Sequence, residues 1–120
     1  MLGVDAPTLQ RERTRLGAMI ETFVLQELKR QASGRDEPLA FFHYRDRDDF
    51  EVDIVIERGP GVVGGVEVKA AATITEADFR GLRKLRDAAC PGFVHGVVLY
   101  DGEALIPFGD GLHAVPLRAL

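Results

Sequence analysis

The chain has 120 residues, 46% of them hydrophobic and 28% charged. That length suits one domain with a single core and excludes two, and the balance excludes a disordered chain. The 15 Lys+Arg against 19 Asp+Glu give a formal charge of −4, which excludes a strongly basic nucleic-acid-coating protein but not an enzyme that holds metal with local acids.

The lone Cys90 cannot form an internal disulfide, and no Cys/His cluster has the spacing of a zinc site. No apolar run reaches membrane-spanning length, and the N-terminus lacks the core of a signal peptide. The expectation is a soluble cytoplasmic domain. Charge is uneven along it: residues 36–67 carry nine acids and three bases, and a basic cluster follows at Arg80, Arg83, Lys84 and Arg86.

From about Thr8 to Gln31, apolar residues at Leu16, Met19, Ile20, Phe23, Val24 and Leu28 form one stripe of helical period. Ser33, Gly34 and Pro38 end that helix. The period then becomes two, over Leu39–Tyr44, Glu51–Glu57 and Val62–Lys69, with Gly59-Pro60-Gly61 as the turn between the last two runs. Thr75 and Asp78 resemble a capping box that opens a second helix, with Phe79, Leu82, Leu85 and Ala89 on its apolar side. Pro91-Gly92 stops it, Phe93–Tyr100 is an apolar strand, and two short strands follow near Ala104–Phe108 and Leu112–Pro116. The predicted order is αβββαβ with a short β extension. Short links make the first three strands an antiparallel meander, and the intervening helix permits a right-handed parallel crossover to the fourth. The fold class is α/β, a mixed sheet flanked by helices.

The second and third strands carry the chemistry. Alternation puts Val52, Ile54 and Ile56 on one face of the second strand, and Glu51, Asp53 and Val55 on the other. On the third, Val66 and Val68 oppose Gly65, Glu67 and Lys69. A hairpin loop over Arg58–Val62 sets Asp53 opposite Glu67, Glu51 opposite Lys69, Val52 opposite Val68 and Ile54 opposite Val66. Facing carboxylates about 4.5–5.5 Å apart at Cβ repel unless one protonates or a cation lies between them. Mg²⁺ or Mn²⁺ suits such a pair, and Lys69 projects into the same space, where it would position a water or neutralise a phosphate oxygen. The plainer reading is ordinary alternation on a half-exposed strand.

Glu21, Asp53 and Glu67-Val68-Lys69 match the E…D…(D/E)xK signature, and the chain resembles the PD-(D/E)XK nuclease-like superfamily. The stretches Leu16–Val24, Phe42–Arg45, Glu51–Asp53 and Val66–Lys69 look like one family within it. That family is the C-terminal domain found after the AAA+ ATPase domain of bacterial and archaeal proteins. The resemblance spans about Leu9 to Leu120 and implies a restriction-endonuclease-like fold over residues 1–120, as the distal part of a longer ATPase-linked protein. It implies a nuclease in which Asp53 and Glu67 bind Mg²⁺ or Mn²⁺, Glu21 reaches the metal directly or through water, and Lys69 is the catalytic lysine. The alternative is an inactive module docked on nucleic acid or on the ATPase.

For Glu21 the plainer role is a helix carboxylate at the border of the apolar stripe. Arg45 either steadies the acids, contacts phosphate or closes a hairpin salt bridge. Arg80, Arg83 and Lys84 form either a solvated face or a nucleic-acid-contacting one, with DNA the expected partner. An AAA+ ATPase domain, in the same or a partner chain, and a second copy of this chain are the other expected partners. No Gly-x-x-x-x-Gly-Lys-Ser/Thr loop occurs, so ATP binding is not assigned to these residues. His43 and His95 are expected to be packed or hydrogen-bonded strand residues rather than ligands, and His113 falls in the β extension.

Overall fold

The computed structural model describes residues 6–34 and 37–120; the first five positions of the expected domain, and residues 35 and 36, lie outside them. The α-helix α1 runs Ala6–Ala32, followed by strands β1 (Leu39–Arg45), β2 (Glu51–Arg58) and β3 (Val63–Lys69). A 3₁₀ turn, Glu76–Phe79, leads into helix α2 (Arg80–Ala89), then β4 (Phe93–Tyr100), β5 (Ile106–Pro107) and β6 (Leu112–Pro116). Among the described residues no helix is long and apolar enough to cross a membrane.

The strands form one mixed sheet in the order β1-β2-β3-β4-β6-β5. β1, β2 and β3 are an antiparallel meander, and β4 joins β3 in parallel after the α2 crossover, as the strand and helix order predicts. The C-terminal extension goes further than expected. β6 extends the sheet by pairing with β4 in parallel, and only the short β5 is antiparallel to it.

The helices pack on opposite faces. On one, Val24 of α1 is buried with Ile54, Val66 and Leu99, and Ile20 and Leu28 pack against that cluster. On the other, Phe79, Leu82 and Leu85 are buried with Val52, Val55, Val98 and Leu112. Each cluster removes apolar surface from water, the main favourable term in folding.

Two expectations need correction. The apolar stripe of α1 is split: Ile20, Val24 and Leu28 pack toward the sheet, whereas Leu16, Met19 and Phe23 are exposed. A 3.6-residue period identifies a helix but does not limit how wide its apolar arc is. Second, Val52 does not share a face with Ile54, since it belongs to the α2 cluster and Ile54 to the α1 cluster. A register shift explains the swap. Phe42 pairs with Val55 and Tyr44 with Val52, so three steps on β2 oppose two on β1. Such a bulge inserts one residue and reverses the alternation locally. It falls in the segment that holds Asp53.

Candidate functional site

The β2–β3 hairpin has the predicted register at its closed end. Ile54 pairs with Val66, Val55 with Gly65, Ile56 with Gly64 and Glu57 with Val63, and the Arg58 N–H donates to the Val62 carbonyl at 2.8 Å. Beyond Ile54 and Val66 the ladder stops, so the expected Asp53–Glu67, Val52–Val68 and Glu51–Lys69 strand pairs do not form. Side chains take over. The Asp53 N–H donates to Glu67 Oε1 at 3.1 Å, and the Val68 N–H donates to Asp53 Oδ2 at 2.8 Å. Two carboxylates thus stand where backbone carbonyls would otherwise accept. The physical cause lies in the bulge, which moves Asp53 out of the pleat and lets its carboxylate reach across to β3.

This fork collects negative charge. Burial raises the pKa of Glu67 to about 8, and the neighbouring charges of Asp53, Glu21 and Glu51 push the same way against the backbone bond from Asp53. Burial also raises the pKa of Asp53, opposed by the Val68 hydrogen bond and by His43 and reinforced by Glu51. Glu21, from α1, is raised by burial and then by Asp53. At neutral pH the cluster relieves its repulsion by keeping a proton on Glu67. Glu21 and Asp53 also line an open cleft of about 240 Å³, together with Lys29, Phe41 and His43. The helix, β2 and β3 therefore bring Glu21, Asp53 and Glu67 into one electrostatic unit.

Lys69 is not drawn into it. Its Nζ donates to Asp78 Oδ2 at 2.7 Å, and the same oxygen accepts the Thr75 N–H at 2.8 Å. Partial burial opposes ionisation of Asp78, but the bonds from Lys69 and Thr75 outweigh it and its pKa is lowered. Asp78 was legible as a helix-capping acid from its spacing to Thr75. Its second role, as the partner of Lys69, has no local sequence signal because it depends on where α2 begins over the sheet.

The remaining predicted residues fall around this fork. Arg45 closes the β1–β2 hairpin by pairing with Glu51 at 2.6 Å. Arg83 pairs with Glu76 and donates to the Phe108 carbonyl. Lys84 lies 5.0 Å from the centre of the Phe50 ring and 3.9 Å from Asp48. Arg80 is exposed at the start of α2. Sequence reading passed over Glu51 and His43 as members of the cluster. His43 Nδ1 lies 3.4 Å from the Asp53 carbonyl oxygen, and Nε2 is 3.9 Å from Glu51.

The donor set suits a hard divalent ion. Asp53 and Glu67 each spend one carboxylate oxygen on a backbone N–H, and the second oxygen of each has no hydrogen-bond partner among the described residues. Two carboxylate oxygens with water completing the shell is a usual arrangement for Mg²⁺. Among the described residues no group of three or more His, Cys, Asp or Glu is placed to hold a metal ion together.

Residues 16–120 match a family described as a domain of unknown function, DUF4143. That match covers most of the chain, and the chain belongs to this family. No curated protein and no solved structure matches it.

Proposed function

We propose that this DUF4143 domain is a metal-dependent nuclease of PD-(D/E)XK type, hydrolysing phosphodiester bonds in nucleic acid, with DNA the first substrate to test. The observation that carries the reading is the reciprocal pair of carboxylate-to-backbone bonds at the fork. Two acids that accept backbone N–H groups in place of ladder carbonyls, crowded enough that the pKa of Glu67 is raised, concentrate charge that neutral acceptors would not. A divalent cation offsets that charge.

In this reading Asp53 and Glu67 hold Mg²⁺ or Mn²⁺, and Glu21 supports the ion directly or through water. When bound, the ion supplies Lewis acidity toward a phosphate oxygen and lowers the pKa of a bound water. The backbone bonds at Asp53 and Val68 keep both acids fixed, so they bind without reorganising. Lys69 leaves Asp78 to neutralise charge on the phosphate. Arg80, with Arg83 and Lys84 once their present partners are exchanged for phosphates, carries the flanking backbone.

The contact between Lys69 and Asp78 favours a second reading, an inactive module that docks on nucleic acid or on an AAA+ ATPase domain. Cleavage separates the two. With Mg²⁺ or Mn²⁺ the wild type nicks DNA or RNA, and Lys69→Ala folds normally and loses that activity. Equal residual cleavage by both proteins points to a contaminating nuclease and overturns the assignment of Lys69, and metal binding without cleavage supports the docking module.

A further inference from the structure

A second cluster of potential ligands lies away from the acid fork, on β4 and β6. His95 and His113 stand on neighbouring parallel strands, two residues apart along the ladder, since Gly96 pairs with Leu112 and Val97 with His113. Their rings are nearly parallel, at 6°, with centroids 4.9 Å apart. Nδ1 of His113 and Nε2 of His95 face each other at 3.0 Å.

The geometry points to a binding site for an imidazole-seeking divalent transition-metal ion, Cu²⁺ or Ni²⁺, held by His95 Nε2 and His113 Nδ1 with water in the other positions. The inference is independent of the reaction proposed for the fork. Several observations carry it. The backbone ladder from Gly96–Leu112 to Tyr100–Pro116 already sets the register of the two strands, so the imidazole contact is not needed to align them. Both histidines sit on strands rather than loops, which presents their nitrogens from a rigid base.

The separation is also one that a single ion can span. Two nitrogens at metal bond lengths of about 2.0–2.1 Å lie about 2.9 Å apart at a 90° angle and about 3.3 Å apart at a tetrahedral one. The observed 3.0 Å is close to the first value. It therefore lies within reach of one ion, and imidazole is a usual ligand of Cu²⁺ and Ni²⁺. The site is accessible, since His95 is exposed and His113 only half-buried. As the contact stands one of these nitrogens donates to the other, so binding requires that imidazole to take its other tautomer and both rings to turn toward one ion. Mg²⁺ prefers carboxylate oxygens, so the two sites do not compete for the same ion.

The test is calorimetric titration of the tag-free chain with Ni²⁺ and with Cu²⁺ at neutral pH, alongside NMR of the histidine ring protons. One ion binds per chain, paramagnetic broadening is strongest at His95 and His113, and excess Mg²⁺ does not displace it. His95→Ala or His113→Ala weakens binding at least about tenfold by removing one of two ligands, and circular dichroism verifies that each variant is folded. His43→Ala, which alters the acid fork, leaves the affinity unchanged. Three results overturn the inference: no binding to the wild type, equal binding by wild type and both single variants, or broadening centred on His43.

Discussion

The two ends of the β2–β3 pair use the same two strands but are held together by different groups. At the closed end, backbone pairs run from Glu57–Val63 to Ile54–Val66, and side chains alternate cleanly between the two helix-covered faces. At the open end the bridging acceptors are the carboxylates of Asp53 and Glu67. The closed end has the register that most favours folding. The open end takes up unfavourable charge at a point where an uncharged pair would repel less, the kind of local conflict that the proposed metal site would account for.

The largest expected effect comes from disturbing the open end mechanically. Gly81 lets the first turn of α2 lie directly on β2, and a Cβ there would collide with the Glu51 carbonyl and touch Val52. The obstacle is backbone, which cannot rotate away. Gly81→Ala is therefore expected to cost about 3 kcal/mol, the upper part of the range for overpacking, read as a lower urea midpoint with unchanged slope. A loss under about 1 kcal/mol would mean that α2 shifts freely over the fork, and the open end would then not hold its acids rigidly.

Much of this arrangement is legible in the sequence, for physical reasons. The Gly59-Pro60-Gly61 turn, together with Ile54 and Val66 as apolar partners, fixes the register that points Asp53 at Glu67, because a one-residue slip would expose the buried face. The bulge was hidden because it depends on pairing with β1, which is set by Tyr44 and Phe42 rather than by anything within β2. It moves Val52 to the other face and allows Asp53 to cap Val68. The Lys69–Asp78 pair and the His95–His113 contact were hidden for a related reason. Each joins elements whose relative position is decided by sheet order, and the parallel β4–β6 pairing has no short-range signature.

An intermediate effect is expected from the charge at the open end. Glu67 has a folded-state pKa of about 8 against an ordinary 4.5. Below about pH 4.5 both folded and unfolded chains hold the proton, and its contribution to stability is complete. Between 4.5 and about 8 only the folded chain holds it, so stability falls as pH rises, and above that range the loss is complete. Over this window the metal-free wild type should lose roughly 2 kcal/mol, a figure already reduced for water access. Glu67→Gln keeps an oxygen for the Asp53 N–H but carries no charge. Its stability should be flatter across that window and higher than wild type at the alkaline end. Added Mg²⁺ should restore the wild type by binding only the folded state, and the variant should lose most of that response. Parallel pH profiles for the two proteins would remove Glu67 as the proton holder.

The smallest effect should come from the closed end, where the same strands carry no functional charge. Gly61 in the hairpin turn has φ +76, and a Cβ added there meets no atom within 4 Å. Gly61→Ala therefore changes only the backbone preference, at a cost of about 1 kcal/mol for a left-handed alanine. That loss should appear as the same downward offset at every pH, without altering the slope between pH 4.5 and 8 or the gain with Mg²⁺. The reason is structural separation. Backbone pairs from Glu57–Val63 to Ile54–Val66 lie between the turn and the acids, so strain at Gly61 is absorbed before it reaches Asp53. A Gly61→Ala profile that changed slope, or a weakened Mg²⁺ response, would mean that strain travels the length of the hairpin. The two ends would then be one coupled unit, and the charge at the fork could not be treated as a local property of the bulge.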